Sequence, residues 1–152
     1  MQNITRIYVD ADACPVKEEI MRVGAKFHVD IWFIASYAHQ SRSQKGNWIY
    51  VDSAQDEVDF CIYQRAKAGN LIITQDMGLA GLLVKKGVYV LSPRGTIVPD
   101  EHMDTILYNR YVSVKLRRQG TFTKGQKAFS KRDRQYFLSS LEKNLSNNKG
   151  IL

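Results

Sequence analysis

Short apolar runs alternate with amphipathic stretches along the chain up to about residue 90. Arg6–Val9 reads as a strand, and Pro15 opens a predicted helix running to about Lys26. In that helix Lys17, Glu18 and Glu19 lie on the polar side and Ile20, Val23 and Gly24 face inward. Proline suits a first helical position because the N–H it lacks has no intrahelical partner there. Val29–Ala35 and Trp48–Val51 read as further strands, separated by the polar, irregular stretch Ser36–Asn47. Ser53, with Asp56 three residues on, has the spacing of a capping box. The helix it predicts ends near Ala68, before Gly69, a favourable stop. Leu71–Thr74 predicts a fourth strand, Leu79–Lys86 a short helix closed by Gly87, and Val88–Leu91 a fifth strand.

Runs this apolar belong to strands covered on both faces, and strand–helix alternation predicts a parallel, doubly wound sheet. Beyond Pro99, the spacing of Met103, Leu107, Tyr111 and Val114 predicts a helix reaching Gly120. Phe122–Phe129 is then a basic loop, and Ser130 starts a final helix carrying Phe137, Leu138, Leu141 and Leu145, with Ser146–Leu152 frayed. The expected architecture is a single three-layer α/β domain of about five parallel strands. Its sheet core spans residues 1–95, and residues 96–152 form a helical, basic part.

The 152 residues suit one core. No apolar run approaches the roughly 18 residues of a membrane span, and the N-terminus has no secretory pattern. Cys14 and Cys61 form no C-x-x-C, which points to a reducing, cytoplasmic setting. Cys14 reads as a buried thiol at a helix start, not a nucleophile. The histidines His28, His39 and His102 show no zinc-ligand spacing and read as surface or loop residues. The net charge of +7 is uneven: residues 1–109 carry 11 Lys/Arg against 13 Asp/Glu, and residues 110–152 carry 11 against 2. A basic tail on a near-neutral body fits either a polyanionic partner such as RNA or DNA, or a well-solvated surface.

The acidic residues carry the chemistry. Asp10 and Asp12 follow the first strand in V-D-A-D-A, where alternation puts both on one side, and Asp76 follows the fourth strand in I-T-Q-D. If those strands adjoin at a switch point, their ends form the ligand crevice of an open α/β sheet. Carboxylates that converge there repel, and a divalent cation relieves the repulsion; all-oxygen ligands select Mg²⁺ or Mn²⁺ over zinc. The competing account makes Asp12 and Asp76 helix caps. On the intervening helix Val58, Cys61, Ile62 and Ala66 form the inner stripe. Asp59 lies at its edge as a fourth ligand; Asp56, nearly opposite, is a weaker candidate with a capping role of its own. Thr74 is placed to hydrogen-bond a ligand carboxylate, or is simply a residue that favours strands. Asp133 pairs with Ser130 as a capping box.

V-D-A-D-A-C-P-V-K at the start, D-E-V-D at 56–59, I-T-Q-D-M-G-L-A at 73–80, S-P-R-G at 92–95 and F-S-K-R-D-R-Q-Y-F at 129–137 together resemble the YaiI/YqxD family of bacterial proteins. That family is grouped with PIN-like domains, metal-dependent nucleases with acidic residues at the C-terminal edge of a parallel sheet. The resemblance covers nearly the whole chain and implies a PIN-like fold with Asp10, Asp12, Asp59 and Asp76 as catalytic and metal-binding residues. PIN domains commonly use a glutamate where this chain has Asp59.

Arg117, Arg118, Lys124, Lys127, Lys131, Arg132 and Arg134 surround Phe122 and Phe129. Cations interleaved with aromatic rings suit single-stranded nucleic acid; buried rings with solvated charges would leave the same pattern. Arg94, in the turn after the fifth strand, is placed to bind a phosphate or to pair with an aspartate. Three functions fit these features. The first is a metal-dependent nuclease acting on RNA or DNA. The second is a nucleic-acid-binding or regulatory module with a degenerate site. The third is a phosphatase of the haloacid dehalogenase type, with Asp10 as nucleophile and Asp12 as acid. Oligomeric state and protein partners leave no signal in the chain.

Overall fold

A computed structural model of the chain describes residues 4–12, 14–40, 45–54, 56–98 and 128–149. Five strands, β1 (Arg6–Asp10), β2 (Asp30–Ser36), β3 (Asn47–Val51), β4 (Asn70–Ile73) and β5 (Tyr89–Leu91), form one parallel sheet in the order β3-β2-β1-β4-β5. Helices α1 (Lys17–Phe27), α2 (Glu57–Arg65), α3 (Met77–Lys85) and α4 (Lys131–Lys149) cover it. Side chains alternate across the strands, so each inner strand feeds two cores. Ile7, Val9, Phe33 and Ile73 pack with Ile20 and Val23 of α1 and with Phe137, Leu141 and Leu145 of α4. Tyr8, Ile34, Ile72 and Val90 pack with Ile62 of α2 and with Leu79 and Leu83 of α3. The fold is therefore the expected three-layer α/β arrangement. Among the described residues, no helix is long and apolar enough to cross a membrane.

Four local expectations need correction. Helix α1 starts at Lys17 with Val16 at its cap position, so Pro15 lies ahead of the helix and not at its first position. The Ser53–Asp56 capping box does not form. Ser53 Oγ instead accepts the Ala38 N–H (3.2 Å), and Asp56 enters α2 in the left-handed region (φ 67°) without a side-chain cap bond. This later entry, with an end at Arg65, makes α2 shorter than its polar–apolar pattern predicts. At the other end of the chain, α4 stays helical to Lys149 and does not fray at Ser146. The predicted helix from Met103 to Gly120, and the loop from Phe122 as far as residue 127, lie outside the described residues, as do Arg117, Arg118, Lys124 and Lys127.

Helix α4 is fixed on the sheet at several points. Phe137, Leu141 and Leu145 are fully buried, each contributing roughly 1.5–3 kcal/mol of burial. The Ser130–Asp133 capping box does form: the Ser130 N–H donates to Asp133 Oδ2 (2.9 Å) and the Asp133 N–H donates to Ser130 Oγ (3.1 Å). Arg94 Nη1 donates to the same Asp133 oxygen (3.1 Å), and the Ser140 hydroxyl donates to the Gly95 carbonyl (2.7 Å).

Candidate functional site

The strand order reverses between β1 and β4, which pair in parallel from Arg6 opposite Asn70 to Val9 opposite Ile73. Such a switch point opens a crevice at the carboxyl ends of the strands. Asp10 ends β1, and across from it the fully buried Thr74 follows β4. Thr74 Oγ1 donates to Asp10 Oδ2 (2.9 Å) and accepts the Asp76 N–H (3.0 Å). One hydroxyl thus ties together two aspartates 66 positions apart in the chain. Asp76 also caps α3, with Oδ1 accepting from the Gly78 N–H (2.9 Å) and the Leu79 N–H (3.1 Å). The capping account of Asp76 therefore holds together with its place in the crevice.

Asp12 does not cap α1. Its Oδ1 accepts the Ser36 N–H (2.8 Å) at the end of β2, on the opposite side of β1 from Thr74. Asp10 and Asp12 line one cavity of about 350 Å³ but are anchored to opposite neighbours of β1. His39 Nδ1 stands 3.0 Å from the same Asp12 oxygen and 3.1 Å from Ser36 Oγ. His39 is thus a site residue that motif spacing missed. Its signal was positional: it lies just beyond β2, at the same sheet edge as the end of β1, carried there by the 3-10 turn Tyr37–His39.

Helix α2 brings Asp59 and Asp56 to the other rim of that cavity. Asp59 is pushed up to about 7, first by burial, then by its hydrogen bond to Asp76 and the charges of Asp76, Asp10 and Asp56. Asp10 is also raised, mainly by burial and further by the charges of Asp12 and Asp76, against the lowering effect of the Thr74 bond. Burial and the neighbouring carboxylates thus disfavour a charge on Asp59. Among the described residues, no three His, Cys, Asp or Glu side chains stand already gathered as a metal-binding group. Cys14 is buried and pushed up to about 11, chiefly by desolvation, which suits an inert thiol.

The basic residues divide. Arg94 pairs with Asp133, not with the acidic cluster, and lies over the half-buried Phe129 ring (5.4 Å). Arg134 lies 5.3 Å from the centre of the same ring and bonds to the Pro15 carbonyl (2.6 Å) and Glu19 (3.2 Å). Both guanidiniums hold α4 in place. Lys131 and Arg132 are exposed at the start of α4.

A family model described as "Uncharacterized BCR, YaiI/YqxD family" matches residues 8–147. The chain is 77% identical over 152 residues to a UPF0178 protein of Bacillus cytotoxicus, covering all of both chains. It is 44% identical over 147 residues to one of Bacillus velezensis, covering 95% of this chain and 88% of the relative. It is 43% identical over 148 residues to one of Listeria monocytogenes, covering 97% and 99%. No solved structure matches the chain. With nearly its whole length matched by the family model and by these relatives, the chain belongs to the YaiI/YqxD (UPF0178) family.

Proposed function

We propose that the protein is a divalent-metal-dependent nuclease that hydrolyses phosphodiester bonds of RNA or DNA at the β1–β4 crevice. The observation that carries this reading is that Thr74 ties Asp10 and Asp76 together at two adjacent strand ends, with Asp59 of α2 beside them, where burial and the neighbouring carboxylates raise its carboxyl. A dication relieves the repulsion among these carboxylates, and the all-oxygen donor set fits Mg²⁺ or Mn²⁺. Asp10, Asp59 and Asp76 would hold the ion, with Asp12 at the cavity's far side. A bound ion supplies a lowered pKa for its water and charge stabilisation for the leaving oxygen.

The chain's own residues prepare the place. Thr74 fixes the Asp10 carboxylate, the α3 amides fix Asp76, and the end of β2 fixes Asp12. Lys131 and Arg132 are exposed cations available to phosphates.

Asp10→Asn is expected to abolish Mn²⁺-dependent cleavage of RNA and DNA without lowering the melting temperature. Cleavage at the native rate by that variant refutes the proposal. A second reading, a nucleic-acid-binding module without catalysis, draws support from the carboxylates not standing gathered. Salt-sensitive binding without cleavage in any divalent ion favours it. Hydrolysis of simple phosphate monoesters, with a phosphate trapped on Asp10, would instead mark a phosphatase.

A further inference from the structure

A second cleft of about 530 Å³ opens directly from the acidic site, between α2 and α3. Its lining includes Asp56, Asp59 and Asp76 together with Phe60, Tyr63 and Leu82. Phe60 and Tyr63 stand three residues apart on α2 and so share a face. Phe60 is 59% exposed, Tyr63 38% and Leu82, across on α3, 55%. Lys86 Nζ bonds to the Tyr63 carbonyl and lies 4.5 Å from the centre of the Tyr63 ring. The cleft therefore joins carboxylates to two aromatic rings, with a cation beside one of the rings.

We propose that this cleft seats the bases of a single-stranded nucleic acid whose neighbouring phosphate lies at the acidic site. This rests on the nuclease reading for where the phosphate sits. Three observations select that occupant. The cleft shares Asp56 and Asp59 with the cavity of Asp10 and Asp12, so whatever fills it is continuous with whatever meets those carboxylates. Its aromatic floor matches planar bases, which stack on rings with little regard to sequence. Lys86 beside Tyr63 gives the backbone a counter-charge beyond the rings. Duplex bases are stacked on one another and cannot enter, and a simple phosphate ester would leave the apolar part unused. A second copy of the chain fits poorly. Three exposed apolar side chains fall far short of the roughly 20–30 residues a side of a stable interface, whereas the volume is that of a ligand site.

The test is fluorescence anisotropy of labelled oligo(U) and oligo(dT), alongside a duplex of mixed sequence, on the full chain, with Ca²⁺ in place of Mg²⁺ so that the strands stay intact. Phe60→Ala and Tyr63→Ala are each expected to weaken single-strand binding about tenfold, the scale of one lost base–aromatic stack. Phe60→Trp retains it, and duplex binding is unchanged in all variants. Strands with abasic sites should bind intact protein and alanine variants equally weakly. The ratio of oligo(U) to oligo(dT) affinity tells RNA from DNA. Undiminished single-strand binding by both alanine variants, at native melting temperature, overturns the proposal. So does an equal loss of duplex binding, or a native dimer that the alanine variants dissociate. Cleavage by Asp10→Asn is scored separately: it would sink the nuclease reading while ring-dependent strand binding stands.

Discussion

The hydroxyl of Thr74 donates to Asp10 Oδ2 at 2.9 Å while accepting the backbone N–H of Asp76 at 3.0 Å, so a single buried side chain sets the spacing of the two strand-end aspartates. Thr74→Val keeps the shape and removes both bonds. A buried carboxylate and a partly buried N–H then lose their partners, which should cost about 1–3 kcal/mol in urea unfolding. The cost should be larger at neutral pH than in acid, because the Thr74 bond favours the charged form of Asp10. Thr74→Ser should recover most of it. Equal stability of the Val and Ser variants would show that the hydroxyl is unimportant.

Asp76 is both cap and crowded acid, and two substitutions separate the roles. Asp76→Ala removes the acceptor for the Gly78 and Leu79 amides and should cost about 0.5–2 kcal/mol. Asp76→Asn keeps a good cap while removing one charge beside Asp59. It should be at least as stable as the native chain at pH 8 in EDTA and yet lose Mn²⁺ binding by calorimetry. An Asn variant as unstable as the Ala variant would refute this division.

The raised acid Asp59 makes stability depend on pH. Its folded value of about 7 exceeds its ordinary 3.8, so between these the folded chain holds a proton that the unfolded chain has released. Stability is then full below the lower value and is lost as pH rises through the upper one. Asp10, raised in the same direction, adds to the trend. In EDTA the melting temperature should fall from pH 5 to pH 8, and Asp59→Asn should flatten that slope and exceed the native chain at pH 8. A pH-independent melting temperature in the native protein would refute the raised Asp59 carboxyl.

Gly95 has φ +92°, and a Cβ there would stand 2.6 Å from Tyr136 Cδ1 and 3.2 Å from the Phe137 backbone. Gly95→Ala should cost more than about 1 kcal/mol, since it adds a left-handed penalty to a clash with α4. Faster amide exchange confined to α4 would locate the damage; exchange spread evenly over the sheet would contradict it.

Much of the site was legible in the chain because strand ends are punctuated. V-D-A-D and I-T-Q-D each close an apolar run, and the switch-point rule then makes Asp10 and Asp76 neighbours. The capping acceptor of α3 was legible for a similar reason, since only three residues separate Asp76 from Leu79. Two features were hidden. His39 reaches Asp12 through a turn after β2, a contact across 27 positions that no local spacing announces. Ser53 and Asp56 carry the letters of a capping box, but the α2 entry uses a left-handed residue and spends Ser53 on Ala38. Tertiary hydrogen bonding overrode local propensity there.

The central position of β1 has a consequence for how the protein folds. Strand β1 bonds on one side to β2 and on the other to β4, so the pairing of Arg6 is complete only once Asn70 is in place. The face of β1 that carries Ile7 and Val9 is sealed only when Phe137, Leu141 and Leu145 dock on it. One of the two cores therefore closes through contacts as far apart in the chain as Ile7 and Phe137, and loop closure over such a span makes this a slow step of folding.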